Sequence, residues 1–262
     1  MYTAKSNQFE ARLAITEAEV LAAQKLRYQV FVKEFGAKVS KRNKIDEIEA
    51  DKFDCFCDHL ILIDNWAKGH SNQPSIVGTI RLMESQVAES ALGFYSATEY
   101  NLDKLIRGNE KSLEIGRACV DKNYRRSLAI HLLWLGLAEY IINRDITLMF
   151  GVASFHGTAA TKFGSALTLL KEKFSAPKSL NFKAKQVGYL DMSVIPVDFL
   201  DHKKAMDQMP SLLKAYLRMG ALVSDGAFID TKFNTIDVGL MAITDLISKK
   251  YKGLYGQPKT KT

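Results

Sequence analysis

The chain has 262 residues, 47% of them hydrophobic and 25% charged, with a formal net charge of +7 and a pI near 9.1. Three cysteines, no run of 18 apolar residues and first ten residues without an apolar core argue against a disulfide framework, a membrane-spanning helix and a secretory leader, so a soluble, cytoplasmic protein is expected. The basic excess suits an acidic partner, yet its lysines and arginines are scattered over 38–44, 125–126, 171–185 and 203–204 without aromatic interleaving, which argues against nucleic acid.

Residues 11–15 suggest a first short strand, and Thr16-Glu-Ala-Glu19 is a capping box opening a helix to about Glu34. The polar stretch 37–54 is too long for a plain connector. Strands are expected over 60–66 and 76–83, around turn-rich 68–75, then a helix over 97–106 and a strand over 112–120. A helix over 127–143, a strand over 147–154, a helix over 158–174 and a strand within 186–197, closed by Pro196, follow. Pro210 to Gly220 has proline near the start of a helix and glycine at its end. Strands over 221–229 and 238–244 complete the sheet, 245–250 gives a last helical turn, and 253–262 reads as a flexible tail. No repeat or composition break divides the chain, so one α/β domain over 1–252 around a mixed sheet is expected.

The stretch Leu113-Glu-Ile-Gly-Arg-Ala-Cys-Val120, followed by Asp121-Lys-Asn-Tyr-Arg-Arg-Ser127, is the most informative. Alternation puts Leu113, Ile115, Arg117 and Cys119 on one face and Glu114, Gly116, Ala118 and Val120 on the other, so a carboxylate stands in a small, apolar row. Beyond the strand, two arginines precede a helix whose free N–H groups and dipole favour an anion. A carboxylate beside a strand and a phosphate seat after it suit the transfer of phosphopantetheine-borne acyl groups to an amine.

Glu114-x-Gly116-Arg117-x-x-Val120 resembles the Glu-x-Ser/Gly-Arg-x-x-Val signature shared by acyl-homoserine-lactone synthases and ornithine N-acyltransferases, within the GNAT-like group. Arg27-Tyr-Gln-Val30-Phe31 and Asp51-x-x-Asp54, with Asp58-His59-Leu60, match the Arg–Val–Phe and Asp–Asp pattern of both. Four further stretches resemble the ornithine N-acyltransferases: Phe150-Gly-x-Ala153-Ser154-Phe155, Pro210-x-Leu212-Leu213-Lys214-x-Tyr216-Leu217-Arg218-x-Gly220, Asp225-Gly226-Ala227 and Asp230-x-x-Phe233-Asn234-Thr235-x-Asp237. The likeness runs from about residue 12 to 251. It implies a GNAT-like α/β fold, a mixed central sheet flanked by helices, with strands 112–120 and 147–154 splayed around the acyl thioester arm. It also implies acyl carrier protein and L-ornithine as partners and lyso-ornithine lipid as product. No metal is implied, nor any cofactor beyond the phosphopantetheine on the donor; peripheral contact with the inner membrane stays open.

Acetyl-CoA-using relatives wrap a pyrophosphate in a Gly-rich loop, whereas the loop 124–130 here has no glycine. A single phosphodiester needs only arginines and a helix end, which favours a carrier-protein donor over coenzyme A. Arg117, Val120, Arg125, Arg126 and Ser127 are the expected donor contacts. Glu114 is the expected base for the attacking α-amine, and a backbone N–H around Gly151–Ala153 the expected oxyanion donor. Ornithine's ammonium groups and carboxylate call for paired acids and a cation. Asp51 and Asp54, with Asp225, Asp230 and Asp237 as a second set, meet the first need, and Arg81 or Arg117 the second. Arg27 joins this acceptor set and needs a carboxylate partner among the aspartates. Leu132, Leu133, Trp134, Phe150 and Phe155 are candidates for an acyl slot or for plain core.

Two other readings compete. A homoserine-lactone synthase would use the same donor, but the length after residue 200 and the motifs over 210–237 stand against it. A non-catalytic acyl-carrier or membrane-surface binding protein would need no carboxylate at Glu114. Cys55-x-Cys57-x-His59 alternates as a metal clip on one strand face might, without an evident fourth ligand. His202 and Asp207 would point apart on one helix, and Ser154 lacks a nucleophile elbow.

Overall fold

A computed structural model describes residues 3–67, 75–106, 111–125 and 128–245. The expected turn over 68–74, Arg126, Ser127, the helical turn beyond Asp245 and the tail over 253–262 lie outside the described residues. The chain forms two compact units: one of residues up to Tyr95, Leu113–Ile146 and Thr231–Asn234, the other of Ser96–Ser112, Thr147–Asp230 and the chain from Thr235 on.

In the first unit, β1 (Thr3–Lys5), β2 (Phe9–Leu13), β3 (Asp58–Asp64), β4 (Ser75–Glu84) and β5 (Ser112–Val120) pair in that order, each antiparallel to the next. Helix α1 (Glu17–Arg27) opens on Thr16, whose Oγ1 accepts from Glu19 N at 3.2 Å. Glu19 reaches one residue further back than a standard box, accepting from Ile15 N at 2.8 Å, and pairs with Arg12. The chain then widens its register into a π-helix over Tyr28–Glu34, so the expected helix is real but changes pitch at its middle.

Cross-strand pairing sorts the sheet's two faces. Leu60, Leu62, Gly78, Ala11 and Val120 share one face, against which α2 (Leu128–Asn143) packs; a Cβ at Gly136 would sit 3.2 Å from Leu60 and 3.3 Å from Ala11, so glycine permits that approach. Ile61, Ile63 and Cys119 lie on the other face, under Ala23, Leu26 and Val30 of the first helix.

The pairing of β4 with β5 slips at Arg117: Arg81 faces Gly116, yet Thr79 faces Cys119. This bulge, with Arg117 at φ +50°, reverses side-chain parity. Cys119 therefore joins Glu114's face and Val120 joins that of Leu113 and Ile115, the reverse of strict alternation.

In the second unit, β8 (Thr235–Ile243) lies between β6 (Leu148–His156) and β7 (Leu222–Asp230), antiparallel to both. Helices α3 (Gly164–Phe174), α4 (His202–Gln208) and α5 (Ser211–Met219) share a core with these strands through Phe155, Leu167, Leu170, Leu213 and Val238. The last helix stops at Gly220, at φ +99°, where the N–H groups of Gly220 and Ala221 close on Leu217 and Tyr216 carbonyls. One expectation fails here, and a second is met by a strand of only two residues. Residues 97–106 form no single helix: Tyr100–Asn101 pair with Lys183–Ala184, and Asn101 Oδ1 then caps the short turn Asp103–Ile106. Within 186–197 only Tyr189–Leu190 is strand, flanked by tight turns.

Candidate active site

In the first unit, the polar stretch 37–54 contains one short helix, Lys41–Ile45, and then delivers three carboxylates to the face under the first helix. Arg27 is fully buried; its Nε donates to Glu49 at 2.6 Å, and Nη1 and Nη2 form a fork with Asp54 at 2.8 and 3.0 Å. Arg81 Nη1 donates to Asp51 at 2.7 Å and to Asp54 at 3.0 Å. Arg117 completes the ring, reaching Glu49 through Nε at 3.1 Å and Asp51 through Nη2 at 3.0 Å. Three guanidinium groups thus alternate with three carboxylates, a balance that burial of so many charges demands.

The bulge gives Arg117 its direction, and two rings hold it: its guanidinium carbon lies 4.3 Å from the Tyr95 centroid and 4.6 Å from that of Phe233. Burial alone would raise the carboxyl of Asp54, but Arg27 and Arg81 outweigh it and hold that group well below the usual carboxylate range. Glu49 is lowered likewise, burial being overcome by Arg117 and Arg27. Glu114 is buried on the same face, two residue pairs along the ladder from Arg81, and accepts from Tyr95 N at 2.9 Å.

The structure therefore collects Arg27, Asp51, Asp54, Arg81 and Arg117, with Glu114 on the same sheet face. Glu49 escaped the sequence reading; its only signal is an acid-rich run, Asp46-Glu-Ile-Glu-Ala-Asp51, inside an overlong loop.

Residues 26–135 match the acetyltransferase (GNAT) domain. The chain is 41% identical over 249 residues to an L-ornithine N(alpha)-acyltransferase of Brucella abortus (strain 2308), covering 94% of this chain and 88% of that one. A protein of the same name from Rhodobacter capsulatus is 39% identical over 247 residues, covering 94% of each. The chain belongs to the L-ornithine N(alpha)-acyltransferase family. Among solved structures, FeeM, an N-acyl amino acid synthase from uncultured soil microbes, is similar with a TM-score of 0.53 at 11% identity, over 92% of this chain and 94% of that one. The AHL synthase LasI follows at 0.51 and 16%, over 98% and 100%. Those two likenesses are of fold, and the fold is GNAT-like.

The remaining expected residues of this acyltransferase sit elsewhere. Val120 ends β5, and its carbonyl accepts from Arg125 Nε at 3.0 Å. Arg125 forms a fork with Glu34, at 2.5 and 2.6 Å. In the second unit, Asp225 is 3.5 Å from Lys183 Nζ, and Gly151–Ala153 pair in register with Leu240–Val238. Asp237 is buried with Glu99, and one oxygen from each of Glu99, Asp230 and Asp237 lies within 4.8 Å of the others. Phe155 is core, with its ring centroid 5.0 Å from that of Phe163, and Leu132, Leu133 and Phe150 are buried. Cys55 lies in the tight turn Asp54–Phe56, off the strand that carries His59, so the three residues of the expected metal clip do not share a strand face. Among the described residues, no helix is long and apolar enough to cross a membrane.

Proposed function

We propose that this acyltransferase moves a 3-hydroxyacyl chain from the phosphopantetheine thioester of acyl carrier protein to the α-amine of L-ornithine, giving lyso-ornithine lipid. The name shared by relatives at 41% and 39% identity over nearly the whole chain carries the acceptor. The glycine-free loop after β5 supports a donor with one phosphodiester. No cofactor or metal enters the chemistry, and a peripheral, cytoplasmic place at the inner membrane suits an amphiphilic product.

The α-ammonium must first lose a proton, and Glu114 is the base, directly or through one water. The amine nitrogen then attacks the thioester carbonyl carbon, the C–S bond breaks, and the pantetheine thiolate leaves, taking up the proton that the new amide nitrogen gives up. Glu114 shares the sheet face of Arg81, whose charge is already balanced by Asp51 and Asp54. Asp51, whose side chain keeps 14% exposure, is the member of the charged ring best placed to meet an ammonium as well.

Incubation with acyl carrier protein and coenzyme A thioesters and a panel of amino acids, read by mass spectrometry, tests this. An amide of ornithine formed from the carrier thioester is expected. A homoserine lactone formed with S-adenosylmethionine would transfer the chain to the rival activity. Glu114→Gln should cut kcat by roughly 10²–10⁴-fold while carrier binding persists. Unchanged turnover would remove Glu114 from the mechanism, and binding without any turnover in the wild type would favour the non-catalytic reading.

A further inference from the structure

The loop that leads from β5 into α2 is pinned on both faces of the sheet by consecutive residues. Tyr124 turns to the face of Phe9 and Asp64: its hydroxyl donates to Asp64 Oδ2 at 2.8 Å, and its ring meets Phe9 edge-on at 6.0 Å. Arg125 turns to the opposite face, where the π-helix ends. There it makes three contacts: Nε donates to the Val120 carbonyl, the guanidinium lies 5.5 Å from the Phe35 centroid, and both Nη atoms bind the Glu34 carboxylate. Phe35 itself packs on the Leu26, Val30 and Cys119 cluster, so this end of the tether is seated in core. Between the anchors, Asp121 N donates to Val77 O, Asn123 N to Asp121 Oδ1 and Tyr124 N to Asp121 O, which leaves the turn little freedom.

An acidic residue beside a loop expected to meet a phosphate is unfavourable unless it has a structural purpose. Glu34 and Arg125 are 91 residues apart in sequence, and each is about one-third exposed. We propose that Glu34 is a positioning residue for the acyl donor: through Arg125 it holds the turn over 121–125 at the position from which the donor's phosphate is met, and Arg125 serves as the tether. This rests on the carrier-protein reading of the donor. It predicts that a negative charge at position 34 is what holds the turn.

Glu34→Gln separates the tether from its alternatives by the direction of the change. A loosened turn raises KM for the carrier thioester by about two- to fivefold, with KM for ornithine and the melting temperature nearly unchanged. Amide exchange over 121–125 quickens in the absence of any substrate. Glu34→Asp, which keeps the negative charge beside Arg125, should leave both readouts closer to wild type than Glu34→Gln does. A lowered donor KM in Glu34→Gln would mean that Glu34 merely competes with the donor for Arg125, and would overturn the proposal. Unchanged donor KM and exchange, or a parallel drift of both KM values with the melting point, would overturn it as well. So would a Glu34→Asp variant that melts like wild type but shows the donor KM of Glu34→Gln. Wild-type turnover with carrier thioester and ornithine is measured beside it, so failure of the function reading shows separately.

Discussion

Removing one carboxylate from the buried ring should cost far more than any surface charge change. Glu49→Gln is the sharpest case, because Glu49 is buried and bridges Arg27 at 2.6 Å and Arg117 at 3.1 Å. Glutamine keeps one oxygen but turns an amide N–H toward a guanidinium, a donor facing a donor. Three buried cations then face two anions. Breaking a buried pair on one side costs about 3–5 kcal/mol. For a chain of this size that corresponds to a fall in melting temperature on the order of 10 °C. Thermal unfolding followed by circular dichroism measures it. The cause is tested by adding Arg27→Gln, which restores two cations against two anions. The double variant should then lose roughly 1–3 kcal/mol less than the sum of the single losses. A fall below about 2 °C for Glu49→Gln, or strictly additive losses, would refute the argument that charge balance holds this ring together.

The same ring predicts acid sensitivity. Glu49 and Asp54 are lowered in the folded state, so the unfolded chain binds more protons as pH falls, and stability should be intact above about pH 4 and decline below it. An acid transition above about pH 5, or one of equal steepness in Glu49→Gln, would contradict this. Burial pushes the thiols of Cys57 and Cys119 up to about 12, while Cys55 is exposed. A thiol reagent at pH about 8 should therefore label Cys55 alone in the native protein and all three cysteines after unfolding; native labelling of Cys119 would refute the packing under Leu26 and Val30. Asp51→Asn should raise KM for ornithine above that for the donor if Asp51 meets an ammonium, and lower only the melting point if it serves Arg81 and Arg117 alone.

What could be read from sequence divides along a physical line. The strand Ser112–Val120 matches its expected limits, and the helix Ser211–Met219 is one residue inside them at each end, because periodicity, proline and glycine are local signals. The bulge at Arg117 is invisible to periodicity: one extra residue reversed the faces of Cys119 and Val120, and only the cross-strand partner reveals it. Residues 97–106 misled because Tyr100 is fixed by a distant segment, its hydroxyl donating to the Asp237 carbonyl at 2.8 Å. Asp51 and Asp54 were legible through their Asp–Asp motif, and Asp54 is the aspartate that the helix arginine Arg27 required. Glu49 was missed because a glutamate in a polar stretch carries no local mark of burial. The pairing of Glu34 with Arg125 was hidden by the distance between them along the chain.

The ring of charge has a consequence for how the chain folds. Its members come from the first helix, a loop, and two strands as far apart as residues 27 and 117, so loop-closure entropy is spent before any of its attraction is gained. A partly assembled ring would strand a desolvated charge, which makes early assembly unfavourable. The ring should therefore close after the sheet and helix have condensed, with low φ-values at Arg27, Glu49 and Arg117. Interactions that form late leave the folding rate almost untouched and act on the unfolding rate, so this cluster works as a kinetic latch on the native state.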